Sequence, residues 1–273
     1  MPVDFSAPRG AAALYAPDSI AWRVMKNPVA LTVGGIAAVI LELAEPRVRT
    51  GVWEHTSFRT DPAVRVKRTG LAAMVTIYAP ADQARAMIAG IARAHERVEG
   101  VTPTGIPYRA NDEELLNWVQ ATASYGFVEA YRRFVRPLSR AETDRFYAEG
   151  QEVASLYGAH GAPRSTTELT KLFAAMRPKL QRSHIVFEFL NIVGSAPILP
   201  SRRLQRLMLR AAVDLTPPWA REILGLDRPH GLRPGEATLL RAIGALTDRV
   251  VLEDAPPAQA CTRLGLPADY LYR

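Results

Sequence analysis

The sequence contains almost no cysteine, which narrows the chemistry available to it. Cys261 is the only cysteine among 273 residues, so an internal disulfide and any cysteine-based zinc or iron–sulfur site are excluded. We expect Cys261 to be an ordinary packed or surface residue. Candidate sites must therefore be sought among the histidines, carboxylates and arginines.

Long apolar runs and common catalytic motifs are also missing. The longest apolar stretch, residues 29–41, is too short to span a bilayer and indicates a buried helix. The first ten residues show no basic segment leading into an apolar one, so we expect no signal peptide and a cytoplasmic location. Motifs typical of α/β-hydrolases, P-loop proteins, zinc proteases, dinucleotide-binding folds and di-iron bundles are absent.

The charge balance is basic, with 34 Lys and Arg against 27 Asp and Glu and a formal net charge of +7. Such a balance is typical of proteins that bind nucleic acids or anionic membranes. The basic residues are scattered, and we find neither a helix-turn-helix nor a basic cluster interleaved with aromatics. We therefore expect no nucleic-acid partner, and keep salt-sensitive DNA or RNA binding as the alternative to be tested.

Helical periodicity without period-2 alternation predicts an all-α fold. No linker or internal repeat divides the chain, so we predict one multi-helix domain over residues 1–273. Residues 100–108 form the main irregular stretch of the first half, and weak strand evidence is confined to residues 249–252. The predicted helices span residues 18–26, 28–44, 46–57, 62–78, 81–98, 112–135, 140–157, 166–177, 182–194, 201–215, 217–225, 234–250 and 257–264.

Capping signals mark where many of these helices begin. A capping side chain before a proline, or a Ser–Glu capping box, is typical of a helix start. At Glu45-Pro46 we expect the proline alone to act. Capping side chains precede proline at Asn27, Asp61 and Thr216, and capping boxes are predicted at Ser139 with Glu142 and at Ser165 with Glu168.

Histidines are the natural candidates for metal ligation or acid–base chemistry. His160 and His230 lie in Gly/Pro-rich loops, which indicates exposed residues, and His184 with Glu188 fits a surface i,i+4 pair. His95 differs, because it continues a stripe of apolar residues at helical spacing (Ala84, Met87, Ile88, Ile91 and Val98). On spacing alone, a core histidine satisfied by a hydrogen bond is favoured over a ligand.

The preceding helix carries cations on one face. Arg65, Arg68 and Thr69 fall at i, i+3 and i+4, and the small residues Ala72 and Thr76 continue that face. One interpretation is a solvated polar face. The other is a wall of small side chains with fixed cations, suited to an anionic group such as a carboxylate or propionate. The pattern does not decide between them.

Several segments together resemble a known family, the MpaB/rubber-oxygenase family, in order and spacing. This family includes the latex-clearing proteins and a fungal enzyme that cleaves a prenyl side chain. The resemblance covers residues 20–226. It is carried by EPRVRTGVWEHTSF (45–58), DPAVRVKRT (61–69), HERVEG (95–100), YRAND (108–112), LNWV (116–119) and PPWAREILGL (217–226).

This resemblance implies a globin-reminiscent all-α fold that binds haem b. It implies His95 as the proximal iron ligand and places Arg65 and Thr69 near the haem. Arg68 stands where latex-clearing proteins have a distal lysine. Because arginine stays protonated and is a poor iron ligand, Arg68 is expected to supply catalytic positive charge beside the oxygen. Glu45 stands where many relatives have histidine, so a histidine-based role does not carry over to that position.

The resemblance thus leads to the hypothesis of a haem b-dependent oxygenase. Such an enzyme would use dioxygen to oxidise or cleave a C=C bond of a hydrophobic, isoprenoid- or lipid-like substrate, with haem performing the oxygen chemistry. The alternative is a non-catalytic sensor or carrier that binds haem or a hydrophobic ligand. The arginine at position 68 is the sequence feature that favours this alternative.

Overall fold

The computed structural model describes residues 3–226 and 230–273, and within these ranges it confirms the all-α class. The only β-structure in the described ranges is an antiparallel hairpin of β1 (Glu99–Val101) and β2 (Pro107–Arg109). The helices are α1 (Ile20–Met25), α2 (Pro28–Glu42), α3 (Pro46–His55), α4 (Pro62–Tyr78), α5 (Ala81–His95), α6 (Glu113–Phe134), α7 (Arg140–Glu149), α8 (Gln151–Leu156), α9 (Thr166–Met176), α10 (His184–Ser195), α11 (Arg202–Leu215), α12 (Pro218–Leu224), α13 (Glu236–Thr247) and α14 (Pro256–Arg263).

Most of the predicted caps are confirmed. The Asn27 side chain accepts hydrogen bonds from the backbone of the first turn of α2, and Asp61 accepts one from Val64 at the start of α4. Ser139 and Glu142 form the complete capping box of α7. At α9 only half of the predicted box forms: Ser165 caps the helix as expected, but the Glu168 side chain accepts from the Arg164 backbone instead.

Two cap predictions were wrong. Proline does not act alone at α3, because the Glu45 carboxylate accepts a hydrogen bond from the Val48 backbone N–H at 2.8 Å. At α12, Thr216 does not cap the helix, since its hydroxyl donates to the Ala212 carbonyl of the preceding helix. Threonine hydroxyls readily bond a carbonyl four residues back, and this competes with capping.

Three predicted boundaries also need correction. The helix predicted over 140–157 is two helices, because the chain breaks at Gly150, a residue that weakens a helix interior. The helix predicted over 81–98 ends at His95, and part of the stretch 100–108 pairs as the β-hairpin. The helix predicted over 234–250 spans only Glu236–Thr247, and the weak strand evidence at residues 249–252 does not correspond to a strand.

The centre of the fold is the close crossing of α2 and α6. A Cβ atom added at Gly34 would lie only 2.6 Å from the Gly126 carbonyl oxygen, so both positions require glycine for the backbones to approach this closely. α11 and α13 pack against the same central pair. Large side chains such as Trp22, Trp118 and Phe134 are fully buried around it. Burial of this apolar area is the main source of the fold's stability.

The α4–α5 helical hairpin is anchored at its tip. The Tyr78 hydroxyl donates to the Trp22 carbonyl at 2.7 Å, and the Trp22 indole donates to the Ile77 carbonyl at 3.0 Å. Arg263 of α14 donates to the Tyr78 carbonyl at 2.7 Å. Away from this tip, residues 64–71 of α4 and most of the last two turns of α5 are half-buried or exposed. The pair of helices α4 and α5 is therefore fixed at the Tyr78 end, whereas the end that carries Arg65 and His95 is partly exposed to solvent.

A buried ion pair fixes the chain just before the N-terminus of α2. The Lys26 ammonium lies 2.7 Å from the Asp248 carboxylate, and both side chains are almost inaccessible. Asn27 and Tyr131 donate to the same carboxylate. Because the charges are paired and hydrogen-bonded, their burial is tolerated, and α2 is tied to the end of α13.

Among the described residues, no single helix has the length and apolar composition needed to cross a membrane. α2 and α3 together reach that length and composition, but they are bent by 112° relative to each other.

Neighbouring glycines of α2 provide a test of the central crossing. Gly34→Ala is expected to lower the free energy of unfolding by about 3 kcal/mol, because its methyl group meets the α6 backbone, which cannot move aside cheaply. Gly35→Ala is the control, since its Cβ would meet only the Phe127 ring at 3.8 Å; it is expected to be neutral or stabilising by up to about 1 kcal/mol. Urea unfolding measures both, and equal effects would contradict the crossing.

Candidate functional site

His95 is the last residue of α5 and is half-buried. The predicted buried stripe holds only in its first half: Ala84 and Ile88 are buried, whereas Met87, Ile91 and His95 are half-buried. Burial lowers the pKa of His95, and the positive charge of Arg65 lowers it further. The imidazole is therefore held in its neutral form at neutral pH. Within the described ranges the ring has no hydrogen-bond partner, so the expected core histidine satisfied by a hydrogen bond is not what we observe.

Arg65 lies on the adjacent helix, in the second turn of α4. Its side chain is half-buried, and desolvation lowers its pKa, while the nearby Glu42 carboxylate opposes this shift and Arg68 adds to it. In the described part of the chain, no carboxylate lies within salt-bridge distance of Arg65. A guanidinium in this position is available to an anionic group from outside the protein.

A third residue, Glu42 at the end of α2, is coupled electrostatically to Arg65. We call Glu42, Arg65 and His95 the His95 cluster. The sequence analysis did not identify Glu42. Burial raises its pKa to about 7, although Arg65 and the Thr122 hydroxyl of α6 both favour the ionised form. A carboxyl group with such a pKa exchanges a proton near neutral pH. The signal that could have revealed it is its place as the one charged side chain in the apolar helix predicted over residues 28–44.

Glu42, Arg65 and His95 thus come from three helices, and the charge of Arg65 acts on the pKa of both Glu42 and His95. The donor chemistry fits an iron porphyrin. Such a cofactor brings four nitrogen ligands of its own, needs one neutral imidazole from the protein, and carries propionates that pair with cations. In residues 3–226 and 230–273 no three histidine, cysteine or carboxylate side chains converge on a common metal position.

Arg68 and Thr69 lie on the same helix as Arg65 but are exposed. The Thr69 hydroxyl donates to the Arg65 carbonyl at 3.0 Å, so it bonds its own helix. Further along this face, the buried Thr76 contacts the Tyr157 hydroxyl at 3.1 Å. The structure thus brings Arg65 beside His95 and leaves the roles of Arg68 and Thr69 as predictions.

The other histidines do not join this cluster. His160 and His230 are exposed, as expected, and so is His184. The predicted surface pair of His184 with Glu188 does not form as an ion pair, because Glu188 instead lies 3.7 Å from Arg59.

Tyr108 of β2 holds the segment that follows His95. Its hydroxyl contacts the His55 imidazole of α3 at 3.2 Å, and its ring is almost fully buried. A Cβ at Gly100 would lie 2.7 Å from this hydroxyl, so the close fit requires glycine. The β1–β2 hairpin therefore links the end of α5 to α3 and restrains the backbone that follows His95.

The all-α scaffold thus presents the neutral imidazole of His95 beside the Arg65 guanidinium. The chain belongs to the family described as ER-bound oxygenase mpaB/B'/rubber oxygenase, catalytic domain, which it matches over residues 22–249.

Two curated mycobacterial proteins share part of the sequence. They are uncharacterized proteins of Mycobacterium tuberculosis and Mycobacterium bovis, each 31% identical over 125 residues, a stretch that covers 44% of this chain. The match spans 48% of the length of each relative. No solved structure matches the chain.

The Glu42 pKa predicts how stability depends on pH. A carboxyl whose pKa is raised on folding favours the folded state while protonated, so its contribution is full below pH 4.5 and is lost as pH rises towards 7. Glu42→Gln removes this loss. Without added cofactor, the variant is therefore expected to gain up to about 3 kcal/mol relative to wild type between about pH 4 and pH 8.

Urea unfolding at both pH values measures this gain. Glu222→Gln is the matched control, because Glu222 is an exposed carboxylate on α12. A pH-independent difference between Glu42→Gln and wild type would show that Glu42 titrates as an ordinary surface acid.

Proposed function

We propose that this protein is a haem b-dependent oxygenase that uses dioxygen to oxidise or cleave a C=C bond of a hydrophobic, isoprenoid- or lipid-like substrate. Family membership supports the oxygenase class. The single observation that carries the haem assignment is the His95 ring, which is half-buried, neutral, free of protein partners among the described residues and adjacent to Arg65.

In this proposal His95 holds the iron and Arg65 pairs with a haem propionate. The lowered pKa of His95 keeps its ring nitrogen free of a proton and able to donate its lone pair. Arg65 is half-buried, and a guanidinium shielded from water binds a carboxylate more strongly than an exposed one. Bound haem would supply the redox chemistry that activates dioxygen.

Glu42 is suited to handling a proton in the same site. With a pKa of about 7, its carboxyl is present in both protonation states at neutral pH. The Thr122 hydroxyl and Arg65 favour the carboxylate, so proton release from a Glu42 oxygen is stabilised on the protein side. Glu42 would thus take up or return the proton that an oxygenation reaction moves.

Apolar side chains next to the cluster fit a hydrophobic substrate. On α4, Leu71 is 48% exposed and Ala72 and Ala73 are half-buried; on α5, Met87 and Ile91 are half-buried. Partly exposed apolar surface beside polar groups is the usual composition of a small-molecule site. These residues would hold an alkene and keep water away from it.

A haem-binding test checks the ligand assignment. His95→Ala, expressed with sufficient iron and haem precursor, is expected to lose the Soret band that the wild-type protein shows. The lone imidazole is the only proposed protein bond to the iron, so nothing replaces it. His184→Ala is the control, because His184 is an exposed histidine of α10. A wild-type protein without a Soret band, or an unchanged spectrum for His95→Ala, would refute the assignment.

A second test addresses Arg65. Arg65→Gln is expected to weaken haem binding about tenfold, the effect of losing one charge-assisted contact, while Arg93→Gln, at an exposed position of α5, leaves it unchanged. Haem titration followed by absorbance measures both dissociation constants. Equal values for the two variants would remove Arg65 from the propionate role.

Oxygen consumption separates the enzyme from a carrier. The haem-loaded protein is expected to consume dioxygen when isoprenoid alkenes are added and not when their saturated analogues are added. Haem binding without any alkene-dependent consumption would support the non-catalytic alternative, which Arg68 favours because it replaces the lysine of the latex-clearing proteins.

A further inference from the structure

A cavity of about 310 Å³ lies between α1, the end of α6 and the segment that leads to α7. Its lining residues are Arg23, Tyr131, Arg136, Pro137 and Leu138, so it includes no member of the His95 cluster. Two of the five are arginines and none is acidic, a composition that suits an anionic ligand. We call this space the Arg136 cavity.

Arg23 of α1 has a hydrogen-bond donor that is not satisfied. Its terminal nitrogen pairs with the Glu142 carboxylate of α7 at 2.5 Å, whereas its Nε is buried and has no partner among the described residues. A buried N–H without an acceptor costs free energy, and such groups are rare unless a ligand or a water satisfies them. The ion pair with Glu142 restrains the guanidinium, so the free donor stays beside the cavity.

Arg136, which follows α6, carries a charge that is only partly neutralised. Its side chain is 60% exposed, and the one carboxylate within 4.0 Å of it in the described part of the chain is that of Asp248, at 4.0 Å. This carboxylate is already engaged, because the Lys26 ammonium lies 2.7 Å from it and Asn27 and Tyr131 donate hydrogen bonds to it. The Arg136 guanidinium is therefore able to bind another anion.

The two guanidinium charges act on the same part of the cavity wall. Burial and the Asp248 carboxylate raise the pKa of the Tyr131 hydroxyl, while Arg23 and Arg136 both lower it. Burial also lowers the pKa of Lys26, Asp248 opposes this shift, and the same two arginines lower the pKa further. Because charge effects weaken with distance, both arginines lie close enough to act on one ligand.

The charges around the Arg136 cavity leave one positive charge in excess. Three cations, Arg23, Lys26 and Arg136, stand against two carboxylates, those of Glu142 and Asp248. The excess is local, because two of the three cations line the cavity itself. An anion that enters the cavity would therefore meet a favourable potential.

A neighbouring cavity, which shares Leu138, differs in this respect. It is lined by Arg132 and Arg140. Arg132 donates two hydrogen bonds to the Glu129 carboxylate, which lines the same space, and Arg140 lies 3.9 Å from the Asp144 carboxylate. Each of these arginines thus has an acid of its own, so the Arg136 cavity is the better candidate for an anion.

We propose that the Arg136 cavity binds a phosphate group, either as the free ion or as the monoester of a small organic molecule. Guanidinium groups match phosphate oxygens in geometry and in charge. The tetrahedral group presents oxygens in several directions, so it can meet donors that come from α1 and from the segment after α6. The volume of about 310 Å³ leaves room for an organic part beside Pro137 and Leu138.

Calorimetric titration of the full-length protein with sodium phosphate at neutral pH tests the proposal. Low ionic strength is used because salt screens the attraction. Wild type is expected to bind phosphate, and Arg136→Gln to bind it about tenfold more weakly, since a charge-assisted contact is lost. Arg136→Lys keeps the charge but loses the planar fork, and its affinity is expected to lie between the two. Arg136 is exposed, so both variants should fold.

Arg140→Gln is the matched control, because it removes an exposed arginine from the neighbouring cavity. It is expected to bind phosphate as wild type does. Phenyl phosphate distinguishes the two sources of the phosphate group. Tighter binding than that of inorganic phosphate would support a monoester, whose organic part contacts the apolar wall, and equal binding would support the free ion.

Three results would overturn the proposal. One is a wild-type protein that binds neither phosphate nor phenyl phosphate, which would leave water as the partner of the Arg23 Nε. The second is an equal affinity of Arg136→Gln and Arg140→Gln for phosphate. The third is acetate that binds as tightly as phosphate, since the site would then not require a tetrahedral group. None of these measurements involves haem or oxygenase activity.

Discussion

The contact between Gly34 and Gly126 is the constraint on which the arrangement of this protein depends. Because neither residue has a side chain, the backbones of α2 and α6 come together at the centre of the fold. Their crossing fixes how α2 lies against α6, and the last residue of α2 is Glu42. The carboxyl group is thereby placed near Thr122 of α6 and within electrostatic reach of Arg65. The close packing of Gly34 against Gly126 thus helps to place Glu42 in the candidate site.

The pair of helices α4 and α5 is anchored at one end, whereas at the other end polar groups lie without hydrogen-bond or ion-pair partners among the described residues. Trp22, Tyr78 and Arg263 satisfy the polar groups near the tip of this pair of helices. Towards the open end, His95 and Arg65 lie in half-buried positions, and burial of such groups without partners costs free energy. Proteins accept this cost where a ligand completes the interactions. The α4–α5 pair is therefore held firmly at the Tyr78 end and has half-buried polar groups at the His95 end.

Much of the fold could be predicted from local signals, and much of the site could not. Helix α4 begins at the predicted residue because the cap Asp61 and the first helical residue Pro62 are adjacent in the sequence. His95 was recognisable from its helical spacing. Glu42 escaped notice because its raised pKa comes from groups on α4 and α6, which are far away in sequence. Likewise, the sequence does not indicate that Glu45 caps α3, because the cap depends on the hydrogen bond that its carboxylate accepts from the Val48 backbone N–H.

Arg263 has a consequence for how the protein matures. It bonds the carbonyl of Tyr78, 185 positions earlier, and also those of Phe5 and Ala11. On the ribosome the N-terminal segment and the turn after α4 must wait for α14 before these bonds can form, since synthesis proceeds from the N-terminus. Any ligand that needs the finished α4–α5 pair would accordingly enter only after α14 has been synthesised and Arg263 has bonded to these carbonyls.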